Sequence, residues 1–254
     1  MKKADRNRLI LEMIESRGEL HIADIAHAAN VSEMTVRRDL ESLEALGALT
    51  RVHGGAVSTV SRSRSPLFHT RSMRNQEQKE RIGQAAASLI RDGETVILDA
   101  GSTTLQVARA LSGRRNLRVL VLDLRAADCL ADEQDMTVMV IGGTIRPIER
   151  SVYGPAAESA LAGLHFDTFI MSAGGVDGAA GFTEYNPDDA AVKRAALASA
   201  RRTIVVADSS KLGVVTFATV CSLSDVDVVV TDPAGVGYDG FTEAEQGGLQ
   251  VVGA

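Results

Sequence analysis

Cysteine is nearly missing from this 254-residue chain, and its two cysteines, Cys129 and Cys221, share no spacing with other metal ligands. A disulfide framework and a zinc cluster are therefore not expected, and both thiols read as small apolar packing groups in a reducing compartment. Long apolar runs are missing as well. No stretch reaches the ~18 apolar residues of a membrane span. The basic opening MKKADRNRLI has no apolar run behind it, so it does not read as a signal peptide. Positive charge is not in excess, with 27 Lys+Arg against 33 Asp+Glu and a net charge of −6. What remains is a globular composition, 45% hydrophobic and 24% charged, long enough for one large domain or two ordinary ones. The expectation is a soluble, cytoplasmic protein without a metal or a resident cofactor.

The charge is unevenly spread. Residues 1–81 hold 14 Lys+Arg and 11 Asp+Glu, a net +3, whereas residues 82–254 hold 13 and 22, a net −9. Such asymmetry suggests that the amino-terminal part meets an anion. An excess of three supports nucleic-acid binding only together with a motif.

The first sixty residues supply one. NRLILEMIESRGEL carries Leu9, Ile10, Met13 and Ile14 at helical spacing and stops at Gly18; HIADIAHAAN carries Ile22, Ile25, Ala26 and Ala29 as a second stripe. After the short Asn30-Val31 turn, Ser32 is placed to cap a third helix with Val36, Leu40 and Leu43 on its inner face. At ~100° per residue from Val36, Met34, Arg38 and Thr35 fall at roughly 160°, 200° and 260°, away from that face. Arg37 lies on the flank, within i,i+4 reach of Glu33. In ALTRVHGGAVSTV, two short β-prone runs flank Gly54-Gly55, a hairpin signal. Three short helices and a hairpin predict a winged helix-turn-helix, whose DNA-reading helix offers its first turn to base edges and its positive end to phosphate. Arg37 and Arg38 alone would read as a solvated face. The helix, turn and wing around them favour the DNA reading.

The stretch from Arg8 to Val57 resembles the amino-terminal domain of DeoR-type bacterial transcription regulators, most specifically in VSEMTVRRDLESLEALG and RVHGGA. The resemblance implies that the first segment reads DNA and the second is the wing. It makes Ser32, Met34, Thr35, Arg37, Arg38, Arg51 and His53 the candidate DNA-binding residues and double-stranded operator DNA the partner. Paired half-sites imply a homo-oligomer, dimer or tetramer.

A winged helix-turn-helix over residues 1–57 is thus expected to precede a linker, residues 58–75, whose STVSRSRSPLFHTRSMRN has no periodic apolar face. Its Arg62, Arg64, Arg71 and Arg74 read equally as DNA-backbone contacts or as solvated charges. A helix is expected from about Gln76 to Ile90. From residue 94 onward, β-branched runs (ETVILDA, RVLVLDL, MTVMVIGG, FDTFIMSAGG, TIVVADSS, VDVVVTD) alternate with helical ones (TTLQVARAL, PAAESALAGL, DDAAVKRAALASA). Residues 76–254 therefore predict an α/β domain with a largely parallel sheet, which binds ligands at the carboxyl ends of its strands. LDAGSTTLQVA is one such end: Asp99, then Gly101, Ser102, Thr103 and Thr104. Its glycine, hydroxyls and helix amides suit a phosphate, although an ordinary capped turn has the same spacing. It matches neither the Gly-x-Gly-x-x-Gly nor the Walker spacing. Gly142-Gly143, Gly174-Gly175 and ADSSK, ending at Lys211, mark further strand ends. Lys211 reads either as a phosphate cation or as a surface lysine.

LDAGSTT, VIGGTIRP, SAGGVDGAAGFTE, DDAAVKRA and VVADSSKLG, in that order, resemble the effector domain of the same family, which is related to pentose-phosphate isomerases and glucosamine-phosphate deaminases. The resemblance implies a phosphorylated sugar or sugar derivative as effector, held by GSTT with Asp99, Gly142, Gly143 and Lys211 nearby. One position departs from the pattern: Leu122-Asp123 stands where the family commonly has Thr-Asn. A carboxylate there repels phosphate unless Arg125 offsets it or Asp123 bonds a sugar hydroxyl. The alternative is a sugar-phosphate isomerase fused to a DNA-binding domain. It needs a general base, yet after Asp177 come Gly178 and Ala179, no lysine precedes Gly181, and Glu184 reads as an exposed loop carboxylate. A third reading, an oligomeric scaffold, overlaps with the first because DNA-binding dimers are themselves assemblies.

Overall fold

The computed structural model of the chain describes residues 2–45, 48–58, 62, 63 and 65–254. The chain divides into two compact units, Met1–Arg74 and Asn75–Ala254.

The first unit opens with α1 (Lys3–Arg17), β1 (Glu19–His21), α2 (Ile22–Ala29) and α3 (Glu33–Ala45), followed by β2 (Leu49–Val52) and β3 (Gly55–Ser58). Gly18, at φ +77°, ends α1, and Asn30, in the left-handed region, makes the turn between α2 and α3. Ser32 caps α3 as expected, its hydroxyl accepting from the Thr35 amide at 3.3 Å. The three strands form an antiparallel sheet in the order β1-β3-β2. The winged helix-turn-helix is therefore present, with a third strand, β1, that periodicity did not reveal in so short a run. Gly54 takes the positive φ of the hairpin, whereas Gly55 is needed because any Cβ there would lie 2.0 Å from the Leu20 carbonyl oxygen. The core combines Ile10, Leu11, Ile14, Leu20, Ile25, Val36, Leu40, Leu43 and Leu49. Leu11 replaces the expected Leu9 and Met13, which are only half-buried. Within the stretch expected to be linker, α4 (Phe68–Met73) buries Phe68 and Thr70. Arg64 lies outside the described residues, as does Gly47 of the recognition-helix motif.

The second unit begins with α5 (Gln76–Ser88), β4 (Thr95–Leu98), α6 (Thr104–Leu111), β5 (Leu117–Val121), α7 (Leu124–Leu130) and β6 (Met136–Val140). A short hairpin, β7 (Thr144–Ile145) and β8 (Val152–Tyr153), leads to α8 (Pro155–Ala162) and β9 (Phe166–Ser172). There follow β10 (Gly175–Asp177), β11 (Gly181–Glu184), α9 (Pro187–Ser199), β12 (Ala200–Val206), β13 (Ala218–Cys221), β14 (Val228–Thr231), α10 (Thr242–Gln246) and β15 (Gln250–Gly253). Seven strands form one parallel sheet in the order β15-β14-β12-β9-β4-β5-β6. All six strands expected from apolar runs are in it, and β15 is the seventh. Ile97, Phe169, Met171, Val205 and Val229 are buried in it, which is why these strands read as unbroken apolar runs. A smaller antiparallel sheet, β10-β11-β13, adds to the unit.

The strand order locates a crevice. From β4 the chain builds outward through β5 and β6, then returns to lay β9 on the other flank of β4 and continues outward through β12 and β14. The direction of winding reverses between β4 and β9. At such a switch point the loops leaving two adjacent strands turn to opposite faces and leave a gap beyond the carboxyl ends.

Candidate functional site

In the first unit, α3 buries Val36, Leu40 and Leu43 and turns Met34, Arg37 and Arg38 to solvent, with Met34 60% exposed. The two adjacent arginines differ. Arg37 pairs with Glu33 at 3.8 Å, whereas the Arg38 side chain has no ion-pair partner among the described residues. The Ser32 and Thr35 hydroxyls lie 3.0 Å apart and engage each other at the helix start. Asp39 also belongs to the motif and is only 2% exposed. It accepts from two guanidinium nitrogens of Arg6, one at 3.1 Å, and so ties α1 to the recognition helix. Arg51 turns toward α3, with its guanidinium 3.1 Å from Glu41 and 3.8 Å from Glu44 and its amide on Glu44 at 2.8 Å. The wing is thus braced on the recognition helix, and His53 stands exposed at its tip.

In the second unit the switch point falls on the loop singled out in the sequence. β4 ends in Asp99 and turns through Gly101, Ser102 and Thr103 into α6. A Cβ at Gly101 would lie 3.1 Å from the Ser172 side chain, so a glycine lets the loops leaving β4 and β9 close up. Thr104 spends its hydroxyl on the Gly101 carbonyl at 3.1 Å. Ser102 and Thr103 are each 7% exposed, and among the described residues neither hydroxyl has a hydrogen-bond partner. Two donors beside a helix amino terminus, at the switch point, form a cradle suited to a phosphate. The other expected strand ends differ. The ADSSK hydroxyls are committed, Ser209 to Asp232 and Ser210 to Asp208. Lys211 sits two strands away, roughly 10 Å at the usual strand spacing, with its ammonium 5.9 Å over the Tyr185 ring. Gly142 and Gly143 are two strands away on the other side. Gly143 is needed for packing, since a Cβ would meet the Tyr153 carbonyl at 2.8 Å.

Beneath the cradle lies a charge cluster that periodicity concealed. Lys193 of α9 is buried, with its ammonium 2.8 Å from Asp99 and 2.7 Å from Glu184, and it also donates to the Ser172 carbonyl at 2.7 Å. Burial alone would lower its pKa, but the two carboxylates overrule burial and hold it above the ordinary lysine value. Ser172 in turn donates its amide and hydroxyl to Asp99, each at 2.8 Å. This corrects the reading of Glu184: its side chain is 14% exposed and ion-paired, not a free loop carboxylate. Asp177 accepts from the Ala179 and Ala180 amides and so caps the hairpin between β10 and β11. Asp208 is likewise buried. Burial would raise its pKa, but Lys79 at 3.8 Å and bonds from Ser210 and Asn75 hold it below the usual carboxylate range.

Both units match known families. Residues 6–62 match the DeoR-like helix-turn-helix domain, and residues 74–233 match the DeoR C terminal sensor domain. The chain belongs to the DeoR family of transcription regulators. Relatives of this DeoR-family chain align over nearly their whole length. They include the uncharacterized HTH-type transcriptional regulator FruR of Bacillus subtilis (31% identity, 96% of each chain). The HTH-type transcriptional regulator GlpR of Haloferax volcanii is 32% identical over 99% of this chain and 98% of its own. The glycerol-3-phosphate regulon repressor of Escherichia coli is 31% identical over 91% and 92%. Among solved structures, ribose 5-phosphate isomerase A from Methanocaldococcus jannaschii superposes with a TM-score of 0.41 at 17% identity, over 54% of this chain and 55% of that one.

The DeoR-family regulator thus carries its paired arginines on a winged helix and its Gly-Ser-Thr-Thr loop at the switch point of its sensor sheet. Among the described residues no helix is long and apolar enough to cross a membrane, and no group of His, Cys, Asp and Glu is placed to hold a metal ion. Two residues important to these sites escaped the sequence reading. Nothing local marks Asp39, and the spacing of Lys193 pairs it with Asp189, four residues earlier in the same alanine-rich helix, and not with its actual partners. Their partners, Arg6 and Asp99, are far away in sequence.

Proposed function

We propose that this regulator is a cytoplasmic repressor of a sugar or sugar-derivative operon, released from its operator by a phosphorylated sugar held at the Gly101–Thr104 turn. The supporting observation is the pair of hydroxyls of Ser102 and Thr103, residues only 7% exposed, that have no hydrogen-bond partner among the described residues and stand beside the amino terminus of α6. Kinship with a glycerol-3-phosphate regulon repressor supports both the sign of regulation and a phosphorylated effector. The regulator acts as a homo-oligomer, dimer or tetramer, on paired half-sites. The effector shifts DNA binding only through a difference in its affinity for the two arrangements of the DNA-binding units. An enzymatic reading has little to stand on, because Glu184, the carboxylate left for a general base, is bound to Lys193. A thermal-shift screen of sugar phosphates tests the sensor reading, since a ligand specific to the native state raises its apparent stability.

On the DNA side, Arg38 is the base-reading arginine and Arg37 the helix-surface one. Arg38→Ala is expected to weaken operator binding by roughly 1–3 kcal/mol and to relax preference at one base pair. Arg37→Ala loses an exposed i,i+4 pair of about 0.5 kcal/mol or less and should leave base preference unchanged. Titrations on the operator and its single-base variants decide. Unaltered preference in Arg38→Ala would remove Arg38 from the interface. Arg51 can add a wing phosphate contact only by giving up Glu41 and Glu44. The domain boundary is placed in residues 58–75. Limited proteolysis should cut first in 58–67, before α4, and leave a folded fragment that retains the sensor sheet. A first cut inside 94–232 would overturn that boundary.

A further inference from the structure

Among the described residues, Asp123 is the carboxylate whose own oxygen is both buried and without a hydrogen-bond partner, and it stands near the switch point. It follows β5 and is 1% exposed. Its Oδ1 caps α7 by accepting from the Arg125 amide at 2.7 Å and lies 3.6 Å from the Arg125 guanidinium. Its Oδ2 is buried without a hydrogen-bond partner. Ser151, its antiparallel bridge partner, has a buried hydroxyl that is also unpartnered. Residues that face each other in such a bridge direct their side chains to the same side of the strands. An acceptor and a hydroxyl are therefore set side by side, one strand over from the Gly101–Thr104 turn.

The surroundings make this arrangement unfavourable unless it is used. Burial, opposed only in part by the Arg125 amide and guanidinium and by the Gly101 amide, and aggravated by Asp99, pushes the Asp123 carboxyl up to about 6. The chain between β7 and β8, which pairs with this strand end through the Leu124 amide and the Arg150 carbonyl, holds two non-glycine residues at positive φ, Ile148 at 67° and Arg150 at 58°. A β-branched residue is strained there. Arg125 clamps this loop through the carbonyls of Ile148 and Glu149.

We propose that Asp123 and Ser151 form the sugar-reading subsite of the sensor, in which Oδ2 of Asp123 accepts from a hydroxyl of the effector and Ser151 Oγ donates to the same hydroxyl. The inference rests on the sensor reading above, with the phosphate on the Gly101–Thr104 turn. It specifies the ligand class: a phosphorylated polyol or sugar with a free hydroxyl about one strand spacing from its phosphate. A second carboxylate at that position is excluded by like charge.

The test uses calorimetry on the full chain with inorganic phosphate, glycerol 3-phosphate, fructose 1-phosphate, fructose 6-phosphate, glucose 6-phosphate and ribose 5-phosphate. Asp123→Asn keeps the helix cap, because asparagine caps as well as aspartate, but removes the charge. For the tightest-binding organic phosphate it should weaken binding tenfold or more, whereas inorganic phosphate should bind equally or more tightly. Ser151→Ala should weaken the organic phosphate several-fold and leave inorganic phosphate unchanged. The ratio of wild-type to Asp123→Asn affinity should fall as pH is lowered through 6, because a protonated Asp123 cannot accept at both oxygens; taking the ratio cancels the titration of the phosphate itself. If Asp123→Asn binds the organic phosphate as tightly as the parent, or loses both ligands alike, Asp123 is only a helix cap and the inference is overturned while the sensor reading stands. If no organic phosphate binds the parent more tightly than inorganic phosphate does, the sensor reading fails and takes the inference with it.

Discussion

Ser102→Asp is expected to yield a regulator that binds its operator normally and no longer responds to effector. The substitution sets a carboxylate where phosphate would accept from the Ser102 hydroxyl and the α6 amides. At ~4 Å two such charges repel by about 4 kcal/mol at an effective dielectric of 20, and the charge-assisted bonds of the cradle are lost as well. Together these exceed three orders of magnitude in affinity, using about 1.4 kcal/mol per tenfold. Because Ser102 is only 7% exposed and a buried carboxylate costs stability, a thermal melt beside the parent checks that lost response is not lost fold. The measurement is operator binding with and without the sugar phosphate that the thermal-shift screen identifies, together with calorimetry of that ligand. A folded Ser102→Asp protein that still binds and responds like the parent would show that the turn is an ordinary strand-to-helix connection.

Lys193→Met is expected to have the largest effect on stability. Lys193 is 3% exposed and stands between Asp99 and Glu184, which are themselves buried or nearly so. Methionine fills a similar volume but leaves two carboxylates facing each other without a cation. Breaking a buried pair by removing one partner destabilises by roughly 3–5 kcal/mol, mostly through the stranded charge. Urea unfolding of the sensor unit should therefore shift to a lower midpoint with little change in slope. Because Asp99 also receives the Ser172 amide and hydroxyl, effector binding should weaken even where the protein remains folded. An unchanged midpoint would mean that the cluster contributes nothing to stability.

Much of the architecture was legible because it depends on short-range pattern. A strand buried on both faces is apolar over most of its length, so TVIL, LRVLV and FDTFIMS announced the central sheet, and the helices between them implied parallel crossovers. The order of those strands was not legible. Nothing in TVIL states that it pairs with FDTFIMS, some seventy residues on, rather than ending the sheet, so the switch point could not be located. Short pieces escaped for a different reason. β1 has three residues, too few for a period, and its strand pairing is supplied by β3.

By itself the sequence determined which residues are chemically able to act: two outward arginines on a capped helix, a Gly-Ser-Thr-Thr turn after a buried strand, and an acidic side chain at the end of β5. Only the tertiary structure decided which of them are available. It engaged Arg51 with Glu41 and Glu44, and gave Arg38 no ion-pair partner among the described residues. It committed Ser209 and Ser210 to aspartates but not Ser102 and Thr103. It sank Asp39 and Lys193 beside partners far along the chain. The physical reason is that propensity and periodicity act over a few residues, whereas the pairing of a buried charge is set by whichever distant group the fold carries to within about 3 Å of it.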